Sequence, residues 1–341
     1  MKQITLGRSG IKTVQNAFGA LPIQRISKEQ AALLLQKAYR AGITFFDTAR
    51  AYSDSEEKIG YALHDVRAEI TIATKTMATD ADGFFADLEK SLCMLRTDYI
   101  DLYQFHNPAA CPMPGDKSGL YEAMCRAKEQ GMIRHIGITN HRLHVARQAV
   151  QSGLYETLQF PFCYLASDAE KELVQLCARE DVGFIAMKGL SGGLLTHADA
   201  AMAFMLQYPN VVPIWGVQRE RELDEFLSFL GEEPLMTPQR AALIASDRES
   251  LQGNFCRGCG YCMPCPAGIE INNCARMIQM IRRSPSAQWL TKEYQEKMHR
   301  IRDCVGCGNC RRHCPYGLDT PTLLRENLED YEKILSGEIK V

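Results

Sequence analysis

Apolar runs of strand length recur along the first two hundred residues, in step with stretches patterned as amphipathic helices. The runs are VQNAFGA, ITFFDTA, EITIATKT, YIDLYQFHN, IRHIGITN, TLQFPFCY, GFIAMKGL and VVPIWGV. Between them lie Lys28 to Arg40, Phe84 to Leu95, Leu120 to Gln130, Ala169 to Arg179 and Arg219 to Leu230, each long enough to cross over a parallel sheet. Eight alternations in roughly 230 residues predict an α/β fold closed as a (β/α)8 TIM barrel, with an open sheet as the alternative. Ahead of the first run, KQITLGRSGIKTVQ reads as a short hairpin.

A barrel of this kind gathers its chemistry where strands end and βα loops begin. Asp47 closes ITFFD, Lys75 closes ITIATK, His106 closes DLYQFH and Asn140 closes HIGITN, while Tyr52 lies five residues beyond Asp47. Each residue has an ordinary alternative: a helix-capping Asp, a solvated Lys, a hydrogen-bonded core His, a half-buried Tyr. Together at one rim they have a chemical sense. A Tyr hydroxyl, with a pKa of about 10, is a poor acid at neutral pH unless a neighbouring ammonium favours its phenolate. Lys75 supplies that ammonium, Asp47 keeps it charged and in place, and His106 orients a carbonyl oxygen and shares the proton with Tyr52.

Composition narrows the setting. The chain has 341 residues, 46% apolar and 23% charged, and a formal net charge of −2. That is a globular protein of more than one domain with no basic excess for nucleic acid. No apolar run reaches the roughly 18 residues of a membrane span, and MKQITLGRSG lacks a signal-peptide core, so a cytoplasmic location is expected.

Cysteine usage stands apart, with fourteen in the chain and nine of them after residue 255. Cys256, Cys259, Cys262 and Cys265 form C-x2-C-x2-C-x2-C-P, and Cys304, Cys307, Cys310 and Cys314 form C-x2-C-x2-C-x3-C-P. The second is the bacterial ferredoxin run, in which the fourth Cys ligates the other [4Fe–4S] cluster, so two motifs imply two clusters. Structural zinc, the alternative, usually pairs two C-x2-C units across a longer gap. The expected division is a barrel over residues 1–235, a linking helix over 236–253 and a small, mainly helical ferredoxin-like dicluster domain over 254–341.

GITFFDTARAY, ITIATK, DLYQFHNP and GITN resemble the aldo-keto reductases over residues 1 to about 235. The resemblance implies that Asp47, Tyr52, Lys75 and His106 form the catalytic tetrad, and that Asn140 and Gln159 contact the nicotinamide carboxamide of NAD or NADP. Met187, in AMKGLSGG, stands where many members place an aromatic ring against the nicotinamide, with Lys188 beside it. Gly216 and Glu222 align with the Lys and Arg that hold an adenosine 2′-phosphate in NADP-dependent members, while Arg219 and Arg221 offer compensating charge. The last hundred residues resemble helical two-cluster ferredoxin domains fused to redox enzymes. That likeness implies one cluster on Cys256, Cys259, Cys262 and Cys314 and the other on Cys304, Cys307, Cys310 and Cys265.

The expected function is an oxidoreductase moving hydride between NAD(P)(H) and a small-molecule carbonyl or alcohol, with the clusters for electron transfer or for capping the pocket. The alternative is an electron-transfer module whose barrel is a docking platform without turnover. Neither nucleic acid nor membrane is expected as a partner; an external ferredoxin or flavoprotein is the candidate electron carrier.

Overall fold

The computed structural model describes residues 1–251, 255–283 and 286–340, which divide into two compact units. The first comprises Met1–Gly189 and Asp199–Thr237, and the second Leu190–Ala198 and Pro238–Val341.

The first unit opens with a hairpin, β1 (Gln3–Thr5) against β2 (Lys12–Val14). The chain then alternates through β3 (Ala17–Gly19), α1 (Lys28–Arg40), β4 (Phe45–Asp47), α2 (Ser55–Leu63), β5 (Thr71–Thr76) and α3 (Ala81–Leu95). It continues with β6 (Ile100–His106), α4 (Leu120–Glu129), β7 (Ile133–Thr139), α5 (Leu143–Gln151), β8 (Thr157–Pro161) and α6 (Asp168–Arg179). Last come β9 (Gly183–Met187), α7 (Ala198–Met205), β10 (Val211–Gly216) and α8 (Glu220–Gly231). Strands β3 to β10 form a closed parallel barrel, sealed where Ile214, Trp215 and Gly216 of β10 pair with Ala17, Phe18 and Gly19 of β3. The closure removes the open sheet from consideration.

Local sequence explains where the helices start. Ser27 caps α1 and Ser167 caps α6, each in a reciprocal pair with Gln30 or Glu170 three residues on. Asp80 accepts from the amide of Gly83 and starts α3 three residues before Phe84, ahead of the expected apolar stripe. Leu6 and Ile11, between the hairpin strands, join Ala17, Phe45, Leu102 and Val212 in one buried cluster. These lie in the N-terminal halves of their strands, so that end is filled with hydrocarbon and the polar groups are left to the opposite rim.

The second unit is helical: α9 (Pro238–Ser250), α10 (Ile271–Cys274), α11 (Met277–Arg283), α12 (Lys292–His299), α13 (Asn309–Arg312) and α14 (Thr320–Leu335). Leu324, Leu328 and Tyr331 of α14 meet Ile271, Ile278 and Met298 in its core. Asn327, 5% exposed, is satisfied there, accepting from the amide of Ile278 at 3.1 Å and donating to the carbonyl of Leu323 at 2.8 Å. Among the described residues no helix is long and apolar enough to cross a membrane.

Candidate active site and cluster-binding cysteines

Adjacent strands bring three of the expected residues to one rim. Asp47 is the last residue of β4 and His106 the last of β6, while Lys75 of β5 pairs in register with Gln104 of β6. The Lys75 ammonium lies 2.7 Å from both carboxylate oxygens of Asp47 and donates to the carbonyl of Thr48 at 2.6 Å. Both side chains are almost wholly buried. Burial pushes the Asp47 carboxyl up and the Lys75 ammonium down, and each partner opposes the other's shift.

Tyr52 reaches the same place from the loop between β4 and α2. Its ring centroid is 5.4 Å from the Lys75 ammonium and 5.7 Å from the His106 ring, which meets it edge-on at 84°. Burial, followed by the Lys75 charge, pulls His106 down to about 3, so the imidazole is neutral across the physiological range. Among the described residues the His106 Nδ1 has no protein partner. Asp47, Tyr52, Lys75 and His106 therefore converge.

The remaining expected contacts distribute around neighbouring strand ends. Gln159 on β8 donates to Asp47 at 3.4 Å and accepts from Gln104 at 3.0 Å. Asn140, fully buried after β7, donates to the carbonyl of Pro108 at 2.9 Å and accepts from the amide of Arg142 at 2.7 Å. Met187 ends β9, where its sulfur lies 4.0 Å from the Thr139 hydroxyl. Lys188 follows with φ at 59°, a left-handed backbone unusual outside glycine. Gly216 ends β10, and Arg219 is the exposed N-cap of α8. Glu222 accepts from the amides of Gln218 at 3.0 Å and Arg219 at 3.1 Å, so a carboxylate already caps that helix.

Two supporting groups escape a strand-end reading. Gln104 sits two residues before His106 on the same strand face, linking β6 to Gln159 and through it to Asp47. Glu56, four residues after Tyr52, is buried; it accepts from Thr74 at 2.6 Å and Ser91 at 2.7 Å and pairs with Arg50. The Arg50 amide in turn donates to the carbonyl of Lys75 at 3.0 Å, tying the Tyr52 loop to β5. Alternation along β6 could have flagged Gln104, whereas Glu56 lies in the charged run SDSEEK, which reads as solvated.

In the second unit all eight motif cysteines are free thiols. Burial pushes the Cys256 and Cys310 thiols up, with Cys259 and Cys314 near the first and Cys304 and Cys307 near the second. Cys265 lines a small apolar cavity with Cys262, Cys304, Cys307, Cys310, Ile269 and Leu324. Burial and the neighbouring thiols push Cys262 up to about 12, so thiolates crowded here need a cationic centre to share. Among the described residues no three Cys, His, Asp or Glu side chains converge as ligands of one metal ion. Cys274 is fully buried, its thiol 3.6 Å from the Lys297 carbonyl.

Comparison with known proteins agrees with both halves. The sequence profile of the aldo/keto reductase family matches residues 4–243, and that of a 4Fe-4S dicluster domain matches residues 255–319. An uncharacterized oxidoreductase, YqkF, of Bacillus subtilis (strain 168) is 25% identical over 86% of this chain and 94% of its own length. Methylglyoxal reductase DkgA of Escherichia coli O157:H7 is 35% identical over 36% of this chain and 45% of its own length. Among solved structures, the thermostable aldo-keto reductase Tm1743 has a TM-score of 0.60 at 26% identity, covering 72% of this chain and 100% of that one. The aldo-keto reductase AKR11C1 of Bacillus halodurans shares the fold with a TM-score of 0.65 at 20% identity, over 72% of this chain and 96% of that one.

Proposed function

Because the chain belongs to the aldo/keto reductase family, we propose that it moves hydride between a nicotinamide cofactor and a small-molecule carbonyl or alcohol at the rim of β4, β5 and β6. One observation carries this reading: the buried Lys75–Asp47 pair sets its ammonium 5.4 Å from the Tyr52 ring, with His106 against that ring's edge. Bound nicotinamide supplies or accepts the hydride. Tyr52 gives its hydroxyl proton to the carbonyl oxygen in reduction and takes it back in oxidation, so hydride and proton add across the C=O bond and balance. Lys75 stabilises negative charge on the Tyr52 oxygen as that proton leaves, and Asp47 holds the ammonium charged and fixed. His106, being neutral, orients the carbonyl oxygen through a ring N–H and takes no proton of its own.

Asn140 and Gln159 serve the nicotinamide carboxamide in this reading, since each amide retains a donor or acceptor site beyond its protein bonds. Met187 and Lys188 form the adjoining wall, and Gly216 and Arg219 the adenosine end. The Glu222 carboxylate at the start of α8 repels a 2′-phosphate there, which favours NAD(H) over NADP(H).

Two [4Fe–4S] clusters complete the reading, one on Cys256, Cys259, Cys262 and Cys314 and the other on Cys304, Cys307, Cys310 and Cys265. Cys265 lines one cavity with Cys304, Cys307 and Cys310, which supports its place on the second cluster. Cys304 and Cys307 are exposed, which suits one-electron exchange with an external ferredoxin or flavoprotein. Hydride carries two electrons and a cubane one, so the clusters serve a step separate from hydride transfer.

The Tyr52→Phe variant tests the assignment. It is expected to bind nicotinamide and keep its iron while kcat for carbonyl reduction falls by about 100-fold or more. Unchanged kcat in the variant, or a wild-type protein that binds no nicotinamide, contradicts it.

A further inference from the structure

Arg276, between α10 and α11, is a buried cation whose hydrogen-bond partners are neutral. It is 6% exposed, and its guanidinium donates to the carbonyl of Gly192 at 2.5 Å and approaches the sulfur of Met280 at 2.9 Å, both neutral groups. Among the described residues no carboxylate pairs with it. An unpaired buried charge is costly, and a chain that merely needed to fill this space would do better with a neutral side chain.

The surrounding backbone is shaped to admit the guanidinium. Gly258 lies two residues after Cys256 with φ at 61°, and a side chain there would run into the guanidinium of Arg276. Gly192, with φ at 65°, has no room for one either: a Cβ would sit 2.9 Å from the same group. Two glycines thus make way for one arginine, and the Gly258 amide also faces the Cys256 sulfur at 3.4 Å.

We propose that Arg276 is the counter-charge of the cluster bound through Cys256, Cys259, Cys262 and Cys314, and that it raises that cluster's reduction potential. The inference rests on the cluster assignment above. An iron–sulfur cluster held by four thiolates is anionic and gains a further negative charge on reduction, so a fixed cation beside one thiolate favours the reduced form. The low-dielectric surroundings that make the lone guanidinium costly also strengthen this attraction. The guanidinium meets the backbone of Gly258, between Cys256 and Cys259, so the effect is expected at the cluster those cysteines hold and not at the other.

The test is an anaerobic redox titration of the full-length protein, followed by EPR, in the wild type, Arg276→Gln and Arg276→Lys. Iron analysis comes first: a wild type without about eight iron atoms per chain fails the cluster assignment and not this inference. With clusters present, one midpoint of Arg276→Gln is expected to fall by about tenfold in the reduced-to-oxidised ratio at fixed poise, which is about 59 mV for one electron. The other midpoint stays, and Arg276→Lys keeps both near the wild type. Loss of one cluster in Arg276→Gln alone, with Arg276→Lys intact, also supports a requirement for the charge. Unmoved midpoints in Arg276→Gln overturn the proposal. So does an equal fall, or equal loss of a cluster, in both variants, because the hydrogen bonds of the guanidinium and not its charge would then be in control.

Discussion

His106 is held neutral by burial and by the Lys75 ammonium, and the sign of that shift has a consequence for pH dependence. Its folded pKa of about 3 lies below the ordinary value of about 6.5, so the unfolded chain binds a proton across that interval that the folded site refuses. Acidification from pH 6.5 towards 3 therefore erodes the contribution of His106 to stability, and above that window its contribution is complete. The His106 ring is expected to show no titration by NMR between pH 5 and 8, and kcat/KM no limb there that disappears in His106→Gln. A ring resonance titrating near 6.5 contradicts the account. For single residues the sequence was informative wherever a polar side chain lay at or next to a strand end: Asp47, Lys75 and His106 are legible for that reason. Gln104 was less so: alternation along β6 marks it, but nothing in the strand tells which neighbour it will meet.

Among the elements, the loop between β4 and α2 matters most, since it carries Tyr52 yet has no regular structure to fix it. Its rigidity comes from outside, through the Arg50 amide on Lys75 and the Arg50–Glu56 pair, with Glu56 also accepting from Thr74 and Ser91. Replacing Glu56 by Ala removes the common acceptor and leaves those donors without it. A loss of about 3 kcal/mol is expected in denaturant unfolding, typical of breaking a buried ion pair. Glu57, the next residue, pairs with Lys28 at the surface, and Glu57→Ala serves as the control, with little change expected. Equal behaviour of the two variants contradicts the bracing role. The two glutamates are adjacent in SEEK and indistinguishable by pattern; only the fold turns one inward. Helix α7, ADAAMAFM, was hidden for the opposite reason, because it has no polar face to mark its period.

In the whole molecule, alternation of strand and helix foretold the closed barrel, and spacing of cysteines foretold the dicluster domain, because both are periodic features that survive in one dimension. The segment Leu190–Ala198, which clusters with the C-terminal unit although it lies between β9 and α7 in the chain, follows no such rule. The glycines that make way for Arg276 depend on the same folding-back, since Gly192 and Gly258 are far apart in sequence and meet on one guanidinium. Hydride transfer at the rim holding Asp47, Tyr52, Lys75 and His106 can be followed with an isotope. Anaerobic full-length protein, with its iron verified, is given NADH carrying deuterium at either face of nicotinamide C4 and a series of small aldehydes and ketones. Mass spectrometry of the alcohols then reports the transfer. Deuterium is expected in the product from one labelled face only, at a rate lower by about 100-fold or more in Tyr52→Phe. Iron-replete protein that transfers deuterium from neither face, with NADH or with NADPH, would contradict the account.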